Sequence, residues 1–229
     1  MIENIGKVDV HTMHSKNNFD LIPLDVMIVG ALGVGKSSTL NALVGKSIAT
    51  IGNSFYSMTE DIQSYNLSSK VRIWDTPGIG DSYLLSDVNN KMSMGMLLRT
   101  KAVSSAKWYG LIDLVLLIVD ASCKDLQATE KILNEIVLKN IAPYRVLLAI
   151  NKVDQALDGD NWNKRLQRPN ELLSHYLDEL SWQVENRINE STGINVIRPV
   201  CYSAKKGYNI RKLKDYILEN VPKQKRIMF

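Results

Sequence analysis

Residues Leu24 to Val44 read LDVMIVGALGVGKSSTLNALV. Leu24 to Val29 is a run suited to a buried strand. Gly30, Ala31, Leu32, Gly33, Val34, Gly35, Lys36 and Ser37 fit GxxxxGKS, and Lys36 to about Val44 reads as a helix stopped by Gly45. A glycine-rich loop between a strand and a helix is the setting that this spacing demands. The glycines let successive backbone N–H groups point at phosphate oxygens, and the helix start adds the positive end of its dipole. Lys36 can reach the β- and γ-phosphates of a nucleotide. The Ser37 hydroxyl can ligate Mg²⁺, which takes oxygen ligands. A plain glycine turn would have no use for either side chain.

Further along, apolar runs alternate with helical stretches. Lys70 to Asp75, Leu114 to Val119, Val146 to Ile150 and Asn195 to Tyr202 read as strands, and Asp61 to Leu67 alternates weakly, as an edge strand does. Leu126 to Lys139 and Ile210 to Val221 read as amphipathic helices. Strands apolar on both faces, alternating with helices, predict an α/β fold with a mostly parallel sheet covered on both sides. No internal repeat and no Pro-, Gly- or Ser-rich linker divides the chain. The expected organisation is an N-terminal extension over 1–23, one domain over 24–222 and a basic tail over 223–229. Two segments read as insertions, 83–108 and about 157–191. The second carries Leu173, Leu177, Leu180, Val184 and Ile188 at helical spacing, the mark of a helix packed on the body.

The 229 residues are 45% hydrophobic and 23% charged, with a net charge of +4. This excludes wholesale disorder, and the small positive excess gives no strong nucleic-acid signal. No run of about 18 apolar residues predicts a membrane-spanning helix, and MIENIGKVDV lacks a secretory pattern. Cys123 and Cys201 fit neither a disulfide framework nor a CxxC metal site. His11, His14 and His175 are too scattered for zinc. The expected location is the cytoplasm.

A bound Mg²⁺ needs a second carboxylate or hydroxyl nearby. Asp75 ends its strand, where open α/β sheets bind ligands, and Gly78 follows three positions on in DTPG, its N–H placed to sense a γ-phosphate. On the other side of the metal Thr59 is the best-placed hydroxyl, with Thr50 the runner-up and Ser54 and Ser57 still open. Asn151, Lys152, Val153 and Asp154 follow the apolar strand VLLAI. The Asp154 carboxylate can accept both N1–H and N2–H₂ of guanine, a donor pair that adenine lacks. The Lys152 stem can lie over the base and Asn151 can brace the loops. Ser203, Ala204 and Lys205 follow the last strand, where the Ala204 N–H can meet guanine O6 and Lys205 can cover the second face.

Together, GxxxxGKS, DTPG, NKVD and SAK look like the motif set of a small GTPase domain. The DTPG form and the SAK ending resemble the Era-like branch of the translation-factor class. GALGVGKSSTLNAL, WDTPGIGDS and LLAINKVDQAL are similar to the YfjP-type bacterial GTPases. The resemblance covers roughly Leu24 to Val221. It implies a three-layer P-loop NTPase fold whose six-stranded sheet has one antiparallel strand. It also implies Mg²⁺-dependent binding of GTP and GDP, slow hydrolysis and a nucleotide-driven switch. By position it implies that Gly30 to Ser38 cradle the phosphates, with Lys36 and Ser37 on phosphate and metal and Ser38 on the α-phosphate. Thr59 and Asp75 would complete the metal site, Asp75 through water, and Gly78 would hold the γ-phosphate. Asn151, Lys152, Asp154, Ser203, Ala204 and Lys205 would hold the base. Two positions depart from the pattern. Ile79 stands where Ras-like enzymes place the water-orienting glutamine. Gly33 stands where potassium-activated relatives carry asparagine.

Two other readings compete with the switch: an ATP-using P-loop enzyme, against which Asp154 speaks, and a GTP-binding interaction module with negligible turnover, which Ile79 allows. A protein or ribonucleoprotein effector is expected. The 83–108 segment is open to three readings: partner surface, nucleotide-dependent dimer contact or ordinary core. The tail from Lys223 to Phe229 is expected to be a frayed end, and membrane contact is not expected.

Overall fold

The computed structural model describes residues 23–45, 63–79, 85–104, 107–122 and 126–227. Thr50, Ser54, Ser57, Thr59 and Cys123 lie outside them. Strand β1 (Leu24–Gly30) runs into α1 (Lys36–Val44), which ends at Gly45 as the sequence predicts. Then come β2 (Gln63–Asn66), β3 (Val71–Asp75) and α2 (Leu85–Arg99). A small antiparallel hairpin follows, β4 (Lys101–Ser104) with β5 (Lys107–Gly110). Next are β6 (Leu114–Asp120), α3 (Gln127–Ile132) and β7 (Val146–Asn151). The two-residue strands β8 (Trp162–Asn163) and β9 (Arg168–Pro169) pair with each other. The chain ends with α4 (Glu171–Thr192), β10 (Val200–Cys201) and α5 (Ile210–Asn220).

The main sheet has six strands in the order β10-β7-β6-β1-β3-β2, all parallel except β2, which runs antiparallel to β3. Alternate residues of each central strand point to opposite faces, so two cores form. Met27, Val29, Trp74, Val115, Leu117, Leu148 and Ile150 face α2, α3 and α4. Val26, Ile28, Ile73, Leu114, Leu116 and Leu147 face α1 and α5. Within α4, Leu173, Leu177, Val184 and Ile188 are buried and Leu180 is partly buried, as the spacing predicts.

Three local expectations are corrected. The helix expected over Leu126 to Lys139 changes type after α3: Leu133–Val137 is a π-helical turn, with the Leu138 N–H donating to Leu133 O. Ile132, Leu133, Ile136 and Val137 nevertheless all face the core, as the helical spacing predicts. The last strand does not run from Asn195. Only Val200 and Cys201 pair with β7, because Pro199 has no N–H to give a ladder. Ile194 and Val196 are buried by packing instead.

The third correction concerns the tail. Far from fraying, Lys225 and Arg226 are built into the floor of the sheet. Asp25 and Asp113, fully buried at the starts of β1 and β6, both accept from Lys225 Nζ, at 2.8 Å and 3.0 Å. Arg72 and the Trp74 indole N–H also donate to Asp25. The Arg226 N–H donates to Asp113 Oδ1 at 2.9 Å, and its guanidinium donates to the carbonyls of Leu98 and Asn140. Burial pushes the Asp113 carboxyl up, and Lys225 pulls against that rise. Removing one member of a buried ion pair is strongly destabilising, and Arg72 keeps Asp25 partly compensated. Lys225→Ala is therefore expected to lower stability by about 3 kcal/mol. Equilibrium urea unfolding measures this, and a loss below about 0.5 kcal/mol, typical of a surface change, would show that the tail is peripheral.

Candidate functional site

The parallel strands β1, β3, β6, β7 and β10 all end on one rim, and the described candidate residues lie on or just past it. The loop from Gly30 to Gly35 joins β1 to α1. Lys36 begins α1 and turns back, its ammonium donating to Gly30 O at 3.2 Å and Ala31 O at 3.1 Å. An ammonium has three donors, so one is left for a ligand in the loop. Burial lowers the Lys36 pKa, and the Asp75 carboxylate partly opposes that. Ser37 and Ser38 are exposed in the first turn of α1, while Leu32 and Gly33 are exposed at the loop's crest.

Asn151 ties the phosphate loop to the base-reading end. Its amide donates to Val34 O at 2.9 Å, and its oxygen accepts from the Ala204 N–H at 3.0 Å. The fit is close at Gly35: its φ is +92°, and a Cβ there would lie 2.5 Å from Asn151 Nδ2. The bracing expected of Asn151 is thus present in these contacts. The Ala204 N–H, expected at the O6 edge of a base, is instead engaged by the Asn151 side chain. Asp154 follows β7 and is buried, its Oδ1 accepting from the Ser203 hydroxyl at 2.6 Å. That hydroxyl oxygen accepts in turn from the Lys206 N–H at 3.1 Å. Lys205 is exposed.

The sequence reading passed over Asp120. It closes β6 directly opposite Asn151 on β7, and its Oδ2 lies 2.5 Å from the Lys152 ammonium. Burial tends to raise the Asp120 carboxyl, but hydrogen bonds from Lys152 and Ser122 bring it below its ordinary value. Lys152, at φ +62°, is thereby held by its head. An acidic residue ending an apolar strand at the ligand rim was the available signal. Thr39 and Tyr202 were also missed. The Thr39 hydroxyl donates to Gly35 O at 2.8 Å and lies 2.7 Å from the Tyr202 hydroxyl, joining α1 to the chain just after β10.

On the other flank, Asp75 ends β3 and Thr76 anchors the turn by donating to Ile28 O at 2.7 Å. The Asp75 Oδ1 atom is buried and accepts no hydrogen bond. Burial raises the Asp75 pKa, which the Ser37 hydroxyl and Lys36 partly offset. An unpartnered buried carboxylate oxygen beside a serine hydroxyl is an all-oxygen donor set that fits Mg²⁺. Gly78 closes over the loop. A Cβ there would lie 2.9 Å from Leu32 Cα and 3.0 Å from Lys36 Nζ. Ile79 is no free position: it is 3% exposed, and its backbone is laced to the phosphate loop by Leu32 N–H to Ile79 O at 2.9 Å and Ile79 N–H to Gly30 O at 3.4 Å.

This arrangement has counterparts. The family model for the 50S ribosome-binding GTPase matches residues 25–152, more than half of the chain, and the elongation factor Tu GTP binding domain matches 101–223. GTPase Era of Heliobacterium modesticaldum is 28% identical over 199 residues, covering 86% of this chain and 54% of its own length. The tRNA modification GTPase MnmE of Alkaliphilus oremlandii is 36% identical over 134 residues, covering 57% and 25%. The chain thus spans about half the length of Era and a quarter of MnmE. Among solved structures, Era in complex with MgGDPNP and a 16S ribosomal RNA segment superposes with a TM-score of 0.51 at 24% identity, covering 90% of this chain and 59% of that one. The bacterial dynamin GTPase LeoA from ETEC gives 0.56 at 15% identity, covering 86% and 36%. At these identities the structural likeness speaks for the fold, which is that of the P-loop GTPases. With the family model spanning β1 to Lys152, this protein belongs to the 50S ribosome-binding GTPase family, and it is similar to Era over most of its length.

Proposed function

We propose that residues 24–222 form a GTPase domain that binds GTP and GDP with Mg²⁺, hydrolyses GTP slowly and acts as a nucleotide-driven switch. The observation that carries this reading is Asn151, whose one side chain joins the phosphate loop at Val34 to the base-reading loop at Ala204. A shared brace makes sense where one ligand spans both loops, with phosphates at one end and a base at the other. In this reading Gly30 to Gly35 present backbone N–H groups to the phosphates, and Lys36 places its remaining donor on the β- and γ-oxygens. Ser38 contacts the α-phosphate. Asp154 accepts from the guanine Watson–Crick edge, with Ser203 fixing one of its oxygens. Lys152, anchored by Asp120, and Lys205 flank the base.

Ser37 would hold the metal directly, Asp75 through water, and Thr59 in the GTP state. When bound, Mg²⁺ adds positive charge against the phosphate oxygens, where negative charge spreads during in-line attack of water. Gly78 holds the γ-phosphate. Ile79 offers no hydrogen bond to a water, so intrinsic turnover of about 10⁻⁴ to 10⁻² s⁻¹ is expected, the range of unassisted GTPases. The same feature favours one second reading, a GTP-binding module without useful turnover. We place the chain in the cytoplasm with a protein or ribonucleoprotein effector. No described helix is long and apolar enough to cross a membrane.

Competition of GTP, GDP and ATP against labelled GDP, with Mg²⁺ or with EDTA, tests the binding. Preference for both guanine nucleotides is expected, and equal competition by ATP would overturn it. Single-turnover phosphate release separates the switch from the module: no release above the uncatalysed background would leave binding alone.

A further inference from the structure

Asn90 lies in the second turn of α2, and its side-chain amide donates to Gly78 O at 3.0 Å. This side-chain hydrogen bond ties α2 to the DTPG turn. Thr76 pins the turn upstream, to β1. Downstream, Ile79 is laced to Gly30 and Leu32. Gly78 sits between these anchors, against Leu32 and the Lys36 ammonium. Its carbonyl belongs to the peptide that links it to Ile79. A free carbonyl beside a phosphate-binding ammonium has two uses for its lone pairs. It can accept a hydrogen bond from the Lys36 ammonium, in competition with phosphate, or turn its negative end toward phosphate oxygens. A donor on the far side removes both options.

From this geometry we infer that Asn90 is a positioning residue for the γ-phosphate end of the site. Its amide holds the Gly78 carbonyl away from the phosphates, and so fixes how Gly78 meets a triphosphate as opposed to a diphosphate. The inference rests on the guanine-nucleotide reading above. Asn90 itself touches only backbone, and acts through Gly78. Ile79 offers no polar side chain at this end, so the backbone of Gly78 carries the recognition, and the Asn90 amide adds an anchor from α2 to those that Thr76 and the Ile79 N–H already supply. The carbonyl requires an N–H donor, which sets the chemistry of the test. Asparagine supplies one, while aspartate of the same shape supplies none and adds a charge.

The experiment compares wild type, Asn90→Ala and Asn90→Asp for affinity toward GDP and toward a non-hydrolysable GTP analogue, with single-turnover hydrolysis and thermal unfolding on the same samples. Both variants are expected to lose about 3- to 12-fold in analogue affinity, the size of one neutral hydrogen bond, while GDP affinity stays within twofold. The rate of phosphate release should fall with the analogue affinity. Asn90→Asp should be at least as impaired as Asn90→Ala. A role confined to holding α2 in place would lower the unfolding temperature and weaken both nucleotides alike, and that result overturns the inference. Unchanged analogue affinity in both variants, or wild-type behaviour of Asn90→Asp, overturns it as well. Failure of the wild-type chain to bind GDP at all would remove the guanine reading itself, and the inference with it. That outcome is distinct because it appears before any variant is measured.

Discussion

Asp154→Asn is expected to weaken GTP binding by about 30- to 4,000-fold, the effect of losing one charge-assisted pair and leaving a buried donor unmatched, some 2–5 kcal/mol. It is expected to raise affinity for xanthosine triphosphate at the same time. The Ser203 hydroxyl, 2.6 Å from Asp154 Oδ1, selects which way the new amide turns. A serine hydroxyl that already gives its proton at this position keeps the amide oxygen there. The amide nitrogen then takes the Oδ2 position, facing the base. Guanine presents donors at N1 and N2, so nitrogen meets nitrogen. Xanthine carries a carbonyl in place of the N2 amino group, and the amide can donate to it. If Asp154 served only to hold Ser203, the substitution would weaken both triphosphates equally. Competition of each against labelled GDP, on wild type and variant, separates the two. An unchanged preference for GTP would remove Asp154 from the base site and reopen the ATP reading.

The motifs that hold Asp154 and the phosphate loop are legible in the sequence, and the reason is local. In Leu24 to Val44 an apolar run, a glycine loop and a helix start each occupy consecutive residues, so β1, the phosphate loop and α1 follow from neighbours in the chain. The same holds for NKVD after β7 and SAK after β10, because parallel strands deliver their ends to one rim. What stayed hidden depends on contacts across long separations. Asp120 holds Lys152 from 32 residues away, and Asn90 reaches a carbonyl 12 residues back. Asn90 carries no pattern of its own in the sequence, and the acidic end of an apolar strand marks Asp120 without naming its partner. The tail was misread for the same reason: Lys225 looks like a solvated lysine until Asp25, 200 residues earlier, is seen beneath it. Pro199 was legible and undervalued, since its missing N–H already argued against a strand beginning at Asn195.

Lys36→Ala tests the other end of the site, and its expected signature is selective. GDP and GTP affinity should fall by about 30- to 4,000-fold, as when one partner of a buried, hydrogen-bonded charge pair is truncated. Guanosine monophosphate affinity should change little, because the proposed role of the ammonium is on the β- and γ-phosphates and the monophosphate has neither. The fold should survive. Two hydrogen bonds to Gly30 O and Ala31 O are lost, but so is the penalty of burying an ammonium, the same penalty that lowers the Lys36 pKa. These terms oppose each other, and the net change in unfolding free energy should stay within about 1–2 kcal/mol. Asp75 then loses the positive charge that offsets its burial, so its carboxyl rises further and Mg²⁺ has to compete with a proton there. The residual GDP binding of the variant should therefore weaken as pH falls, more steeply than that of wild type. Titration calorimetry with the three guanine nucleotides measures the selectivity. A monophosphate affinity that falls as far as that of GDP would mean that Lys36 shapes the whole loop and does not single out the distal phosphates.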